Sequence, residues 1–192
     1  MTELARQRHS FAEYLDLEAI SRVKHEYLDG QAWAMAGGSP RHSAIAANVT
    51  ATLIVALRDR SCQVYTSDLR VRVKATGLAT YPDLSVVCGT LETDPEDRGG
   101  NTAINPTLVV EVLSPSTEDY DRGEKLAHYK QIPSLREILL VAHEEHRLEL
   151  WRRTDTGWTL EVACAGAEKR LRLSSLDCMI ELAEVYRNPL GV

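Results

Sequence analysis

No run of apolar residues in this chain approaches the roughly 20 needed to cross a bilayer, so a membrane-spanning helix is excluded. The opening stretch, Met1 to Ser10, lacks the apolar core and cleavage pattern of a secretory signal, which makes a cytoplasmic location the expectation. The four cysteines, Cys62, Cys88, Cys164 and Cys178, show no CxxC spacing, and Cys88 sits in an apolar, strand-like run. They read as reduced core residues rather than as a disulfide framework or a zinc site. Internal repeats, long linkers and blocks of five like charges are also missing.

With 11 Gly and 7 Pro in 192 residues, 44% apolar and 26% charged, collagen-like, low-complexity and disordered classes are excluded. One compact domain over residues 1–192 is expected, burying roughly 70% of its extended-chain surface. Lys and Arg number 22 against 28 Asp and Glu, a net charge of −6, which argues against a dedicated DNA-binding module. An enzyme that meets nucleic acid locally and keeps its acids for a metal is still compatible with this balance.

Several catalytic signatures fail as well. His143 and His146 flank two glutamates in a turn-like stretch, not the HExxH order on a helix that a zinc protease needs. Ser114 and Ser116 lack the Gly-x-Ser-x-Gly elbow, and Gly37-Gly38 precedes a helix without the lysine of a phosphate loop. Trp33, Trp151 and Trp158 read as core or hairpin packing.

What is present is a clear alternation of elements. Ser10 to Val23 carries apolar residues at mostly helical spacing, and Glu26 to Met35 reads as a hairpin turning on Asp29-Gly30, a pair that tolerates positive φ. Ser39 caps and Pro40 begins a helix of about 18 residues, whose Ile45, Val49, Leu53 and Leu57 form one stripe. From Cys62 to Lys74 the period is two, with Leu69, Val71 and Val73 inward and Arg70, Arg72 and Lys74 on the opposite face, which reads as a solvated outer face, with contact to a phosphate backbone as the alternative. A strand from Tyr81 to Cys88, a loop from Gly89 to Pro106 and a strand from Thr107 to Leu113 follow. A helix capped by Ser116 should run to about Gln131. Glu137 to Ala142 is then a strand parallel to the one at 107–113, because a strand, helix, strand run is a βαβ unit. Arg147 to Arg153 is its hairpin partner, Trp158 to Leu173 reads as a further strand pair, and Leu176 to Tyr186 as a closing apolar segment. The expected fold class is α/β, a mixed central sheet flanked by helices.

The chemistry is carried by acids in apolar strands. Glu111 lies within Leu108-Val-Val-Glu-Val-Leu113, where an uncompensated carboxylate costs several kcal/mol. Asp83 begins another apolar strand directly after Pro82. If the two strands pair antiparallel, the carboxylates converge, and either a shared proton or a hard divalent cation relieves their repulsion. Helix and strand rises also place Lys125 at about the level of Glu111 on the returning helix. Its alternative partner is Asp121, one turn back on the exposed face.

Pro82-Asp83, Glu111 to Ser116, Asp121-Arg122, Lys125 and Tyr129, with Glu26-Tyr27, Asp29-Gly30, Met35-Ala-Gly37, His42 and Ser67-Asp68, together resemble the Uma-type restriction endonuclease family. That family carries the PD-(D/E)XK nuclease fold, here called restriction-endonuclease-like. The resemblance implies a Mg²⁺- or Mn²⁺-dependent endonuclease that hydrolyses DNA phosphodiester bonds, with Asp83, Glu111 and the backbone carbonyl of Val112 as metal ligands. It adds Lys125 as the cation of the site, and Glu26 and His42 as contributors. Leu113 stands where the simplest Glu-x-Lys motif has its lysine, so that charge must come from elsewhere. A catalytically degenerate binding or assembly module is the alternative, DNA the expected partner, and a homodimer an expectation by analogy.

Overall fold

The computed structural model describes residues 8–35, 37–164 and 169–191. Helix α1 (Phe11–Ile20) starts in a capping box: Ser10 Oγ accepts from Glu13 N–H and the Glu13 carboxylate accepts from Ser10 N–H at 2.6 Å. It ends three residues before the Val23 expected from spacing. Strands β1 (His25–Leu28) and β2 (Gln31–Ala34) turn on Asp29 and Gly30, at φ +49° and +83°, as the Asp-Gly pair requires. Ser39 caps α2 (Pro40–Ala56), accepting from His42 N–H at 3.2 Å. The α2 stripe Ile45, Val49 and Leu53 is fully buried.

The stretch expected as one strand from Cys62 divides into β3 (Cys62–Thr66) and β4 (Arg70–Arg72), which belong to different sheets. Then come β5 (Ala79–Thr80), β6 (Leu84–Cys88), β7 (Thr102–Ala103) and β8 (Leu108–Val112). The helical connection is composite: α3 (Glu118–Tyr120), a π-helical turn at Asp121–Lys125, and α4 (Leu126–Tyr129). Thr117, not Ser116, occupies its N-cap position, and no side chain caps it; Ser116 instead shares a 3.1 Å hydrogen bond with Ser114. Strands β9 (Glu137–Val141), β10 (Arg147–Thr154) and β11 (Gly157–Cys164) follow in sequence, then β12 (Arg170–Leu173), β13 (Cys178–Glu181) and α5 (Leu182–Val185). The expected pairing within 158–173 does not form. Strand β11 pairs with β10 and β12 with β13, since the apolar side of the latter hairpin completes the core over α2.

Six strands form the central sheet in the order β11-β10-β9-β8-β6-β3, with β8 and β9 parallel as the βαβ rule requires and the other pairs antiparallel. A second sheet runs β2-β1-β5-β4-β7. Alternation divides β8 between two cores. Leu108, Val110 and Val112 pack with α2 and the C-terminal hairpin. Val109 and Leu113 face Leu126, Tyr129, Val71 and Leu78 on the other side. Glu111 belongs to this second face.

Two expectations about side chains are overturned. The cations of β4 do not form a solvated face: Arg70 is 7% exposed, donating to Tyr81 Oη and Thr102 Oγ1, each at 3.0 Å. Arg72 bonds Asp94 at 3.1 Å and Glu96 at 2.9 Å, whereas Lys74, 3.6 Å from Asp94, stays exposed as expected. A two-residue period separates faces but does not say which face stays wet; here the acid-rich segment 89–106 folds back over the two arginines. Nor are all cysteines reduced. Cys62 and Cys88 lie directly opposite in the β3–β6 register and form a disulfide, whereas Cys178 is free. Cys164 has its side chain outside the described residues.

Candidate active site

The β6–β8 register, with Leu84 opposite Val110, puts Asp83 opposite Glu111 at the end of the pairing. Asp83 Oδ2 accepts from Val112 N–H at 2.7 Å and lies 3.1 Å from His42 Nε2. His42 stands in the first turn of α2, so Ser39, the cap, and Pro40 fix the direction from which its ring approaches. The hydrogen bond to Asp83 raises the His42 pKa above its ordinary value against the effect of burial, and the nearby Glu111 charge and Val112 carbonyl add to the rise.

Lys125 is the hub of the buried part. Its Nζ is 2.8 Å from Glu111 Oε1, 3.2 Å from Glu26 Oε1 and 3.4 Å from Asp121 Oδ1, and all four side chains are 5–6% exposed. The level-matching expectation for Lys125 and Glu111 is met. Asp121 also contacts Lys125 at i, i+4, but inside the protein rather than on an exposed face. Tyr129, one further turn along, donates to Glu111 Oε1 at 2.5 Å. Glu26 arrives from β1 and accepts a short hydrogen bond from Thr80 Oγ1 on neighbouring β5.

Three carboxylates around one ammonium leave the cluster short of positive charge. Burial pushes Glu111 upward, Lys125 opposes this, and Asp121 and Asp83 reinforce it, so that its pKa reaches about 8. Burial works against the Lys125 ammonium, yet Glu111, Tyr129, Glu26 and Asp121 outweigh it and hold its pKa well above the ordinary value. Tyr129 is likewise held far above a normal phenol, first by burial and then by the adjacent Glu111.

A hard divalent cation suits this donor set. Among the described residues, the hydrogen bonds and ion pairs of Asp83 fall on Oδ2 and those of Glu111 on Oε1, which leaves one oxygen of each carboxylate for another ligand. Among the described residues no group of three His, Cys, Asp or Glu side chains is arranged to hold a metal, so a backbone oxygen such as that of Val112 is needed to complete a set.

The cluster forms the floor of an open cleft of about 1040 Å³. Its walls are the β1–β2 hairpin, the first half of α2, and the segment from Ser114 to Thr117. All five side chains expected at the site converge here: Glu26, His42, Asp83, Glu111 and Lys125. Spacing gave Asp121 as an i, i+4 partner of Lys125, but composition and spacing did not reveal Tyr129 and Thr80 as partners. Tyr129 was detectable in principle, because Asp121, Lys125 and Tyr129 recur every four residues along the chain.

Comparison with known proteins bears on the family and the fold. The family model Uma2, described as "Putative restriction endonuclease", matches residues 11–183. Two proteins of Synechocystis sp. are similar. One, "Uncharacterized protein slr1290", is 40% identical over 91% of this chain and 90% of its own length. The other, "Uncharacterized protein sll1609", is 31% identical over 78% and 84%. Among solved structures, "a putative nuclease belonging to DUF820" from Anabaena variabilis superposes with a TM-score of 0.73 at 18% identity, covering 91% of this chain and 95% of that one. The restriction-endonuclease-like fold is therefore shared, and the chain belongs to the Uma2 family of restriction-endonuclease-like proteins.

Proposed function

We propose that this protein is a Mg²⁺- or Mn²⁺-dependent endonuclease that hydrolyses DNA phosphodiester bonds. The observation that carries the reading is the convergence of Asp83, Glu111 and Lys125 at the floor of an open cleft. Asp83, Glu111 and the Val112 carbonyl would hold the metal, which when bound makes water more acidic and polarises a phosphate oxygen. Lys125, held charged by its carboxylates, supplies a fixed cation for charge developing at phosphorus or orients the attacking water. Glu26 and Tyr129 hold the Lys125–Glu111 pair in place, and His42 holds Asp83. The missing strand lysine at Leu113 is thus replaced by one from the facing helix.

The test is cleavage of supercoiled plasmid with Mg²⁺ or Mn²⁺ by the wild type and by Glu111→Gln and Asp83→Asn. Loss of metal-dependent nicking in both variants, with folding intact by circular dichroism, supports the assignment; undiminished nicking in Glu111→Gln removes it. A second reading, a nuclease-fold protein that binds without cutting, draws on the absence of a three-side-chain metal group among the described residues. Calorimetric titration separates the two: no heat with millimolar Mn²⁺ favours the second.

A further inference from the structure

The hairpin at the cleft mouth has a composition that the catalytic cluster does not use. In the β1–β2 register Trp33 lies directly opposite Glu26, and residues so paired project from the same face of a sheet about 5 Å apart. Since Glu26 points at Lys125, Trp33 stands on the same side, one strand further out, at the lip of the cleft. It is 38% exposed, on the edge strand of its sheet. Lys24 and Met35, joined by the Met35 N–H to Lys24 carbonyl bond of 2.9 Å, extend that face by one further pair. Lys24 reaches the Ser67 carbonyl at 2.8 Å, Ser67 Oγ at 3.4 Å and exposed Asp68 at 2.6 Å, with its ammonium 5.4 Å from the centre of the Tyr81 ring. A phosphate can replace such a solvent-screened partner at little cost.

The rest of the lining argues against a duplex. Among the described residues, Lys24 and Lys125 are the lysines that line the cleft, no arginine does, and Glu26, Asp83, Glu111 and Asp121 face the same space. Lys125 is already shared by three of those acids. Proteins that clasp double-stranded DNA neutralise several phosphates with an array of Lys and Arg. Single strands draw part of their affinity from bases stacked on aromatic rings, which adds to what the cations of a groove supply and which a paired base cannot offer.

Resting on the nuclease reading above, we propose that the cleft takes single-stranded DNA, with one unpaired base stacked on Trp33, a phosphate at Lys24, and the next phosphodiester directed toward Asp83 and Glu111. Trp33 is then a positioning residue that selects strand form.

Two measurements test this. Binding of a fluorescein-labelled 12-nucleotide oligothymidylate is followed by anisotropy in Ca²⁺ and, with an unlabelled strand, by tryptophan quenching. Cleavage of a 40-nucleotide strand is compared with that of its duplex in Mg²⁺ and Mn²⁺. Trp33→Ala is expected to weaken binding about 5- to 100-fold, and Trp33→Phe to stay within about threefold of wild type because a ring is retained. Trp33→Phe should also lose the quenching, since Trp151 and Trp158 are not among the cleft-lining residues. The single strand should be cut faster than the duplex. Unchanged binding in Trp33→Ala, quenching that survives in Trp33→Phe, or equal or faster duplex cleavage overturns the proposal while leaving the nuclease reading in place. Cleavage of neither form by the wild type defeats the nuclease reading; single-strand binding that depends on Trp33 then still establishes the stacking site.

Discussion

Replacing Lys125 with methionine keeps an unbranched side chain only one atom shorter and removes the one ammonium shared by Glu26, Glu111 and Asp121. All three acids are nearly as buried as the lysine, so solvent cannot take its place. Breaking a buried ion pair by removing one partner costs about 3–5 kcal/mol. The cost should depend on pH. In the wild type Glu111 already sits near 8 because of burial, with Lys125 restraining the rise. Without that restraint the folded-state Glu111 value climbs further above that of the unfolded chain. A raised carboxyl favours folding below its unfolded value and loses that contribution as pH rises through the folded value. The Lys125→Met penalty should therefore be nearly constant well below pH 8 and grow as pH rises through the wild-type Glu111 value of about 8, approaching about 1.4 kcal/mol per pH unit for the proton that the variant's Glu111 retains. Urea denaturation of both proteins at pH 6.0 and 8.5, followed by tryptophan fluorescence, reads this directly. A penalty under about 1 kcal/mol at pH 8.5, well below the buried-pair range, or one identical at both values, refutes the idea that electrostatic compensation holds the cluster together.

Other expectations are simpler. Glu137 is fully buried, accepting from Ser174 and Ser175 N–H at 3.0 and 3.1 Å and from Arg152 Nε at 2.9 Å. Glu137→Ala should cost about 3–5 kcal/mol in urea denaturation and expose the β12–β13 hairpin to limited trypsin digestion. The Tyr186 hydroxyl lies 2.9 Å from the Ala142 carbonyl and 2.7 Å from that of Arg147, so Tyr186→Phe should lose about 1–3 kcal/mol by the same assay. Ser39→Ala removes the cap of α2, and its expected cost is about 1 kcal/mol in a thermal melt. The Cys62–Cys88 bond closes 26 residues, for which the loop-entropy model gives about 3.5 kcal/mol, measurable as the stability lost in Cys62→Ser/Cys88→Ser. Thiol titration of the unfolded, non-reduced protein should return two thiols rather than four.

Much of the site was legible because its residues break local rules. A glutamate in the middle of Leu108–Leu113 is conspicuous in a strand buried on both faces, and Pro82-Asp83 opens another such strand. Level-matching along helix and strand was enough to bring Lys125 to Glu111, because both elements belong to one βαβ unit with a short connection. The Asp29-Gly30 turn and the Ser39-Pro40 helix start followed from single-residue backbone preferences. The errors share a different cause. Arg70 was assigned to solvent because alternation gives the sign of a face, whereas the acidic segment that covers it returns from about 20 to 30 residues later in the chain. The composite helix at 118–129 was expected as regular α-helix, since spacing does not register one residue inserted in a π turn.

The sequence by itself determined the longer helices and the central strands, the main turns, and which acids stand in apolar surroundings. These follow from the side-chain period and from local backbone energetics, each set within a few residues. Tertiary structure alone decided that Glu26 from the first hairpin joins Lys125, that Trp33 flanks it at the cleft mouth, and that Cys62 meets Cys88. Those pairings depend on sheet order and register, which are selected when distant apolar faces are buried together.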